Sequence, residues 1–160
     1  MGTLPEVKKH YGKLKLFING EWVESKSTEV REDTNPATDE VIAEFPTATE
    51  AEARAAVEAA HNAFATWKDV PMRERARMLF DMRAKFEEHF DRLTRILTQD
   101  HGRTIGESIG SVRRVIENIE SACSALYGLV RRNEHLDQLA SGIDEYLIWE
   151  PLGAFLIITP

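Results

Sequence analysis

The sequence has little of what marks several common classes of protein. Cys123 is its only cysteine, which excludes an internal disulfide and predicts a reducing, cytoplasmic compartment. The formal net charge is −7, which argues against binding to nucleic acid or to an anionic membrane. No apolar run is long enough to span a bilayer, and no apolar segment typical of a secretory signal follows the amino terminus. These absences predict a soluble globular protein with neither nucleic acid nor membrane as a partner.

Standard site motifs are also missing. There is no Gly-x-Gly-x-x-Gly or Walker sequence for phosphate groups, and the five histidines lack metal-ligand spacing, so we expect no metal site. Cys123 falls between Ile119 and Leu126 on an apolar helical stripe, where a buried thiol is unreactive. We therefore interpret Cys123 as a core residue and predict no catalytic residue within this chain.

What the sequence does contain begins with two hairpin signals. Alternating residues flank Asn19-Gly20, the strongest short signal for a hairpin turn. A second strand pair is predicted at Val30–Asp33 and Val41–Phe45, because residues 35–39 between them have turn chemistry.

Three helices are predicted next. Thr49 and Glu52 form the capping-box pattern that starts the first helix. The second runs from Pro71 to a stop at Gly102, with a bend near Glu88. The third carries an unbroken apolar stripe with spacings of four and three: Ile105, Ile109, Val112, Ile116, Ile119, Cys123, Leu126 and Val130. This stripe fits either a coiled-coil seam or a long core-facing helix, and the mixed α/β context favours the second.

The carboxyl-terminal residues contain two further strand signals. Residues 145–150 alternate weakly, and Ala154–Thr159 form an apolar run typical of a strand buried on both faces of a parallel sheet. Ligands of such sheets bind just beyond the carboxyl ends of the strands. The chain is therefore expected to stop where chemistry would begin.

The order of these segments resembles the amino-terminal part of the NAD(P)-dependent aldehyde dehydrogenase family. Each motif is weak alone, but their number, order and spacing together carry the resemblance, which extends from Lys15 to Pro160. The motifs are residues 17–23, 35–38, 63–67, 75–79, 100–104, 150–153 and 158–160.

Within the family, the sequence is most similar to the CoA-acylating methylmalonate-semialdehyde dehydrogenases, on residues 19–27, 100–102 and 110–118. This resemblance implies that Arg114 helps recognise the substrate carboxylate, although from the residues alone it reads as a surface charge. Three positions depart from the pattern. Arg103 stands where a lysine is usual, Arg113 where a small residue is usual, and Trp149 where a basic residue is common.

The resemblance implies an oxidoreductase that oxidises an aldehyde through a cysteine thioester, with NAD as cofactor and coenzyme A as cosubstrate. It places the nucleophilic cysteine and the general-base glutamate beyond this chain, which is expected to be inactive alone. Of the cofactor contacts, only Thr159 carries over, at a position whose backbone approaches the dinucleotide. NAD binding by this chain alone is not expected.

The fold class predicted is α/β. The chain would be the amino-terminal part of a Rossmann-type, aldehyde dehydrogenase-like nucleotide-binding domain: β-hairpins, then three helices, truncated at the first central strand. Its predicted divisions are an extension (1–12), the amino-terminal part of the NAD-binding domain (13–137), an oligomerisation-type strand segment (138–153) and the first sheet strand (154–160). Expected partners are copies of itself or full-length aldehyde dehydrogenase subunits. A non-catalytic assembly module and the product of a decayed or split gene remain alternatives. A generic aldehyde dehydrogenase is the alternative to the methylmalonate-semialdehyde subfamily.

Overall fold

The computed structural model describes residues 7–130 and 135–159. Three parts of the sequence-based predictions lie outside those ranges: residues 1–6 of the extension, residues 131–134, and Pro160. Within the described ranges, two antiparallel strand pairs precede four helices and a third pair follows them.

The first hairpin confirms the prediction from Asn-Gly. Strands β1 (Leu16–Ile18) and β2 (Glu21–Val23) pair antiparallel. Asn19 and Gly20 between them have φ values of 53° and 83°. A two-residue hairpin loop needs such left-handed residues, because the primed turns match the twist of the strands.

The second hairpin is also where the sequence predicts it. Strands β3 (Val30–Thr34) and β4 (Val41–Pro46) pair antiparallel. Asn35 holds their connection, because its Oδ1 accepts a hydrogen bond of 2.9 Å from the backbone N–H of Ala37. Residues 11–14 then hydrogen-bond along β4 as a parallel edge.

Four helices follow, one more than the sequence predicts: α1 (Glu50–Trp67), α2 (Met72–Glu88), α3 (Phe90–His101) and α4 (Ile105–Val130). The additional boundary is at His89, whose φ of −106° and ψ of 14° depart from helical geometry. The prediction of a single second helix with a bend near Glu88 is therefore wrong. The break lets α2 and α3 each follow its own path against α4.

The core of the helical layer is the predicted apolar stripe of α4. Val112, Ile116, Ile119 and Cys123 are all buried, and α4 packs against both α2 and α3. The stripe therefore belongs to a core-facing helix, as the sequence interpretation favoured. None of the described helices is both long and apolar enough to cross a membrane.

The start of α1 is joined to the chain after β2 through Glu52. The backbone N–H of Thr49 donates to the Glu52 carboxylate at 2.8 Å, and Thr49 Oγ1 accepts from the Glu52 N–H, which completes the predicted capping box. The carboxylate also accepts from the Lys26 N–H at 2.7 Å and from the Ser25 hydroxyl at 2.9 Å. These donors, led by the N–H groups of Thr49 and Lys26, lower the pKa of Glu52 to about 2.

The second hairpin packs against the carboxyl end of α3. Gly102 caps that helix in the left-handed conformation with φ of 63°, and a Cβ at this position would lie only 2.7 Å from the backbone nitrogen of Ala37. Nearby, burial and then the neighbouring carboxylate of Asp100 raise the pKa of Asp33. At this contact, the backbone of Gly102 lies unusually close to Ala37, and the carboxylates of Asp33 and Asp100 lie near each other.

The last described segment differs most from its prediction. Strands β5 (His135–Ala140) and β6 (Ile143–Tyr146) pair antiparallel, so the strand predicted at 145–150 begins and ends earlier. Residues 147–159 form no strand, which corrects the prediction of a strand at Ala154–Thr159. The physical reason is that a sheet strand needs hydrogen-bonded neighbours, and no described strand pairs with this segment.

Candidate functional site

The predicted substrate-binding residue, Arg114, lies on α4, and the start of that helix is firmly anchored. The N–H and the hydroxyl of Thr104 both donate to the Glu107 carboxylate, at 3.0 and 2.8 Å. The Glu107 N–H donates back to Thr104 Oγ1 at 3.4 Å, which makes a second capping box. The hydrogen bonds from Thr104, the hydroxyl first, lower the pKa of Glu107.

Two side-chain hydrogen bonds tie the first turns of α4 to the preceding segment. Thr98 of α3 hydrogen-bonds through its hydroxyl to that of Ser108 at 2.8 Å, and Ser108 is fully buried. Arg103, in the connection between the helices, donates from Nη1 to Ser111 Oγ at 2.8 Å, and its Nη2 lies 3.0 Å from Nδ1 of His101. These contacts fix the position of the α4 residues that lead to Arg114.

Arg114 itself faces solvent one turn beyond Ser111. No hydrogen bond or ion pair in residues 7–130 and 135–159 engages its guanidinium. A guanidinium can hold both oxygens of a carboxylate through parallel hydrogen bonds. The structure therefore leaves Arg114 available for an external carboxylate.

The neighbouring arginine is placed differently. The Arg113 guanidinium carbon lies 5.9 Å from the centre of the Phe90 ring, a cation–π contact between α4 and α3. Both residues line a groove of about 370 Å³ in which Arg83 pairs with Glu87 and Glu120. These glutamates are exposed, as the sequence interpretation of them as solvated charges expects. Arg113 is thus engaged in packing, whereas Arg114 is not.

Cys123 has the environment that its sequence position predicts. Its side chain is 3% exposed and belongs to the apolar core of α4, so an aldehyde has no access to the thiol. This confirms the prediction that Cys123 is structural. In the part of the chain that the structure describes, no three or more His, Cys, Asp or Glu side chains are grouped to hold a metal ion.

Thr159, the predicted cofactor contact, lies in the exposed segment after β6, on a different element from Arg114. As a residue it is exposed. The sequence supplies no glycine-rich phosphate cradle beside it.

Sequence reasoning missed the capping box of Thr104 and Glu107, although its spacing was the signal. It also missed the two side-chain hydrogen bonds that tie α4 to the preceding segment. A signal for one was present, because Ser108 lies four residues before Val112 on the buried stripe, where a polar side chain needs a partner. The bond from Arg103 to Ser111 had no such signal. It spans a helix boundary whose geometry only the folded chain defines.

Comparison with known proteins gives a family match. The model of the aldehyde dehydrogenase family matches residues 22–160. Malonate-semialdehyde dehydrogenase 1 of Geobacillus kaustophilus (strain HTA426) is 41% identical over 147 residues, which is 92% of this chain and 30% of that protein. Malonate-semialdehyde dehydrogenase of Bacillus cytotoxicus is also 41% identical, over 148 residues. The chain thus spans about 30% of the length of these relatives.

Solved structures show the same relationship. The crystal structure of methylmalonate-semialdehyde dehydrogenase from Oceanimonas doudoroffii matches with a TM-score of 0.76 and 32% identity, covering 84% of this chain and 27% of that one. A structure from Sinorhizobium meliloti 1021, described as a methylmalonate-semialdehyde dehydrogenase complexed with NAD, matches with a TM-score of 0.76 and 31% identity. It covers 86% of this chain and 27% of that one.

These matches confirm the α/β fold class and the resemblance found in the sequence motifs, including the likeness to proteins named for methylmalonate semialdehyde. Their coverage agrees with the expectation that the chain corresponds to the amino-terminal part of such proteins. The chain belongs to the aldehyde dehydrogenase family.

Proposed function

We propose that this chain is the amino-terminal portion of an NAD-dependent aldehyde dehydrogenase of the CoA-acylating methylmalonate-semialdehyde type. The observation that carries the proposal is its 41% identity, over 92% of its length, to a malonate-semialdehyde dehydrogenase. In the proposed reaction a cysteine attacks the aldehyde, a thioester remains after oxidation, and coenzyme A accepts the acyl group. Covalent attack divides one difficult step into two easier ones.

The reactive thiol of this reaction lies outside these 160 residues. Cys123 is 3% exposed within the core of α4 and does not serve. Bound NAD supplies the hydride acceptor. The contribution of this chain is a scaffold, on which Thr159, an exposed residue, lines one edge of the proposed cofactor site. We expect the enzyme to work in the cytoplasm.

Arg114 recognises the substrate carboxylate in this proposal. Its support is the exposed guanidinium on an anchored helix, with no described partner. A semialdehyde acid carries a carboxylate at one end and the reacting carbonyl at the other. Binding the carboxylate through a fixed arginine therefore orients the carbonyl.

The test compares two proteins. One is the 160-residue chain alone, and the other is the longer protein encoded by the continuous gene that includes these residues. NADH formation is measured with malonate semialdehyde, methylmalonate semialdehyde and propanal, with and without coenzyme A. We expect CoA-dependent NADH formation from the longer product only. NAD reduction by the 160-residue chain alone, or a longer product inactive toward both semialdehydes, contradicts the proposal.

A second candidate function is assembly, with copies of this chain or full-length aldehyde dehydrogenase subunits as partners. Its support is the apolar surface around the third strand pair, where Tyr146, Ile148 and Trp149 are 70%, 71% and 56% exposed. Apolar patches of this kind mark interaction sites. Size-exclusion chromatography with full-length Geobacillus kaustophilus malonate-semialdehyde dehydrogenase tests it. Comigration is expected, and separate elution of the two proteins contradicts it.

A further inference from the structure

Three polar side chains lie together on one face of α4. Ser111, Arg114 and Asn118 are spaced by three and then four residues, which makes them neighbours on a helix surface, with Cβ atoms about 5–6 Å apart. Ser111 is half-buried, while Arg114 and Asn118 are exposed. We call these three residues the α4 polar stripe. On the helix surface, Arg114 is therefore flanked by a hydroxyl residue on one side and an amide residue on the other.

The oxygen of Ser111 is already held on one side, because Arg103 donates a hydrogen bond of 2.8 Å to it. A hydroxyl has one proton and two acceptor sites. With the guanidinium at an acceptor site, the hydroxyl proton remains free to be donated elsewhere.

The usual destination of that proton in a helix is the carbonyl four residues earlier. Thr94 and Thr98 on α3 make this bond, to the carbonyls of Phe90 and Thr94 at 2.8 and 3.0 Å. Among the described residues, Ser111 makes no such bond to the carbonyl of Glu107. The proton of Ser111 is therefore not committed to its own helix.

From this geometry we infer that Ser111 is a second carboxylate-binding residue beside Arg114, and that Arg103 orients its hydroxyl for this purpose. Asn118 flanks the same site on the next turn. The inference rests on the proposed function, in which Arg114 binds the substrate carboxylate, and adds the group that fixes how the carboxylate is turned. Its ligand class is a short carboxylate such as that of a semialdehyde acid.

The test titrates the 160-residue chain with malonate at constant ionic strength and follows the side-chain Nε–H resonance of Arg114 by NMR. Malonamide, in which amides replace the carboxylates, is the neutral control ligand. We expect malonate alone to shift the resonance. Ser111→Ala weakens malonate affinity by about three- to tenfold, the worth of one hydrogen bond.

Variants at Arg103 test whether this residue orients the Ser111 hydroxyl or only supports the fold. Arg103→Met loses about as much malonate affinity as Ser111→Ala, because a thioether donates no hydrogen bond. Arg103→Lys recovers it, because an ammonium also donates to the Ser111 oxygen. Ser124→Ala is the matched control: it lies 13 residues further along α4, about 20 Å away, and alters helix propensity in the same way.

The outcomes separate the two proposals. If malonate leaves Arg114 unshifted in the unmodified chain, the carboxylate role of Arg114 fails and this inference fails with it. If malonate shifts Arg114 and Ser111→Ala binds as tightly as the unmodified chain, only this inference is overturned. Equal affinity of Arg103→Met and the unmodified chain overturns the orienting role of Arg103.

Discussion

Residues 72–130 and residues 143–158 both contain many large apolar side chains, yet they differ in how those side chains are used. In the first region, the stripe of α4 is buried against α2 and α3. In the second, Leu152, Leu156 and Ile158 are 88%, 86% and 85% exposed. The difference shows that apolar residues are buried only where another element of the chain packs against them. Of the four changes that follow, the first tests this comparison directly, and the other three measure polar contacts made by residues that precede residue 72.

The largest expected effect comes from removing a buried side chain. Ile116→Ala, at 5% exposure, lowers the free energy of unfolding by about 2–5 kcal/mol through lost burial and a cavity. Ile157→Ala, at 80% exposure, changes it by less than about 0.5 kcal/mol. Urea unfolding followed by circular dichroism measures both. Similar losses for the two variants would mean that residues 143–158 are packed in solution, and the comparison would break.

A smaller effect is expected from the polar contact that caps α1. Thr49→Ala removes the side-chain cap of α1 and lowers the free energy of unfolding by about 1 kcal/mol. Thr66→Ala, an exposed threonine near the other end of α1, is the control and should change it little. The same urea titration reports both variants. Indistinguishable midpoints would show that the capping box adds nothing to the anchoring of this region.

The contact between Asp33 and Asp100 is expected to be unfavourable at neutral pH. The pKa of Asp33 is raised, so the folded chain binds the proton more tightly than the unfolded chain and gains stability as the pH falls through that pKa. Asp33→Asn should therefore raise the melting temperature at pH 7, and its advantage should shrink on acidification. Asp69→Asn, at an exposed site, is the control. A lower melting temperature for Asp33→Asn at pH 7 contradicts this expectation.

The last change removes a contribution that is present at neutral pH and is lost only in acid. The folded-state pKa of Glu52 is about 2 against an ordinary value of 4.5, so its contribution to stability is complete above pH 4.5 and is lost as the pH falls toward 2. Glu52→Gln should flatten the decline in melting temperature over this window. Parallel declines for the variant and the unmodified chain would show that the carboxylate makes no net contribution there.

How much the sequence could predict depended on the range of the interactions involved. The turn at Asn19-Gly20 and the capping box of Thr49 and Glu52 were predictable, because each is set by residues within four positions. The stripe of α4 was also predictable, because apolar residues repeat at spacings of three and four over many turns, and such a pattern favours one helix face. The division at His89 was not, because it depends on how two helices meet a third.

The candidate site was less predictable than the fold. Arg114 was identified by resemblance, and its exposure and lack of a described partner came from the structure. The bond from Arg103 to Ser111 depends on the turn at Gly102, which brings the connection back along α4. The run Ala154–Thr159 was predicted as a strand from its apolar composition and from the family resemblance. Composition cannot say whether a neighbouring strand is present to pair with it.

The close contact at Gly102 has a consequence for how this sequence can change over generations. Asparagine is the usual substitute for glycine at a left-handed helix cap, yet here any side chain would collide with the loop between β3 and β4. Gly106 and Gly110 have nothing within 4 Å of an added Cβ and are free to drift to alanine. Homologues that retain this loop should therefore be invariant at position 102 and variable at the two glycines that follow it.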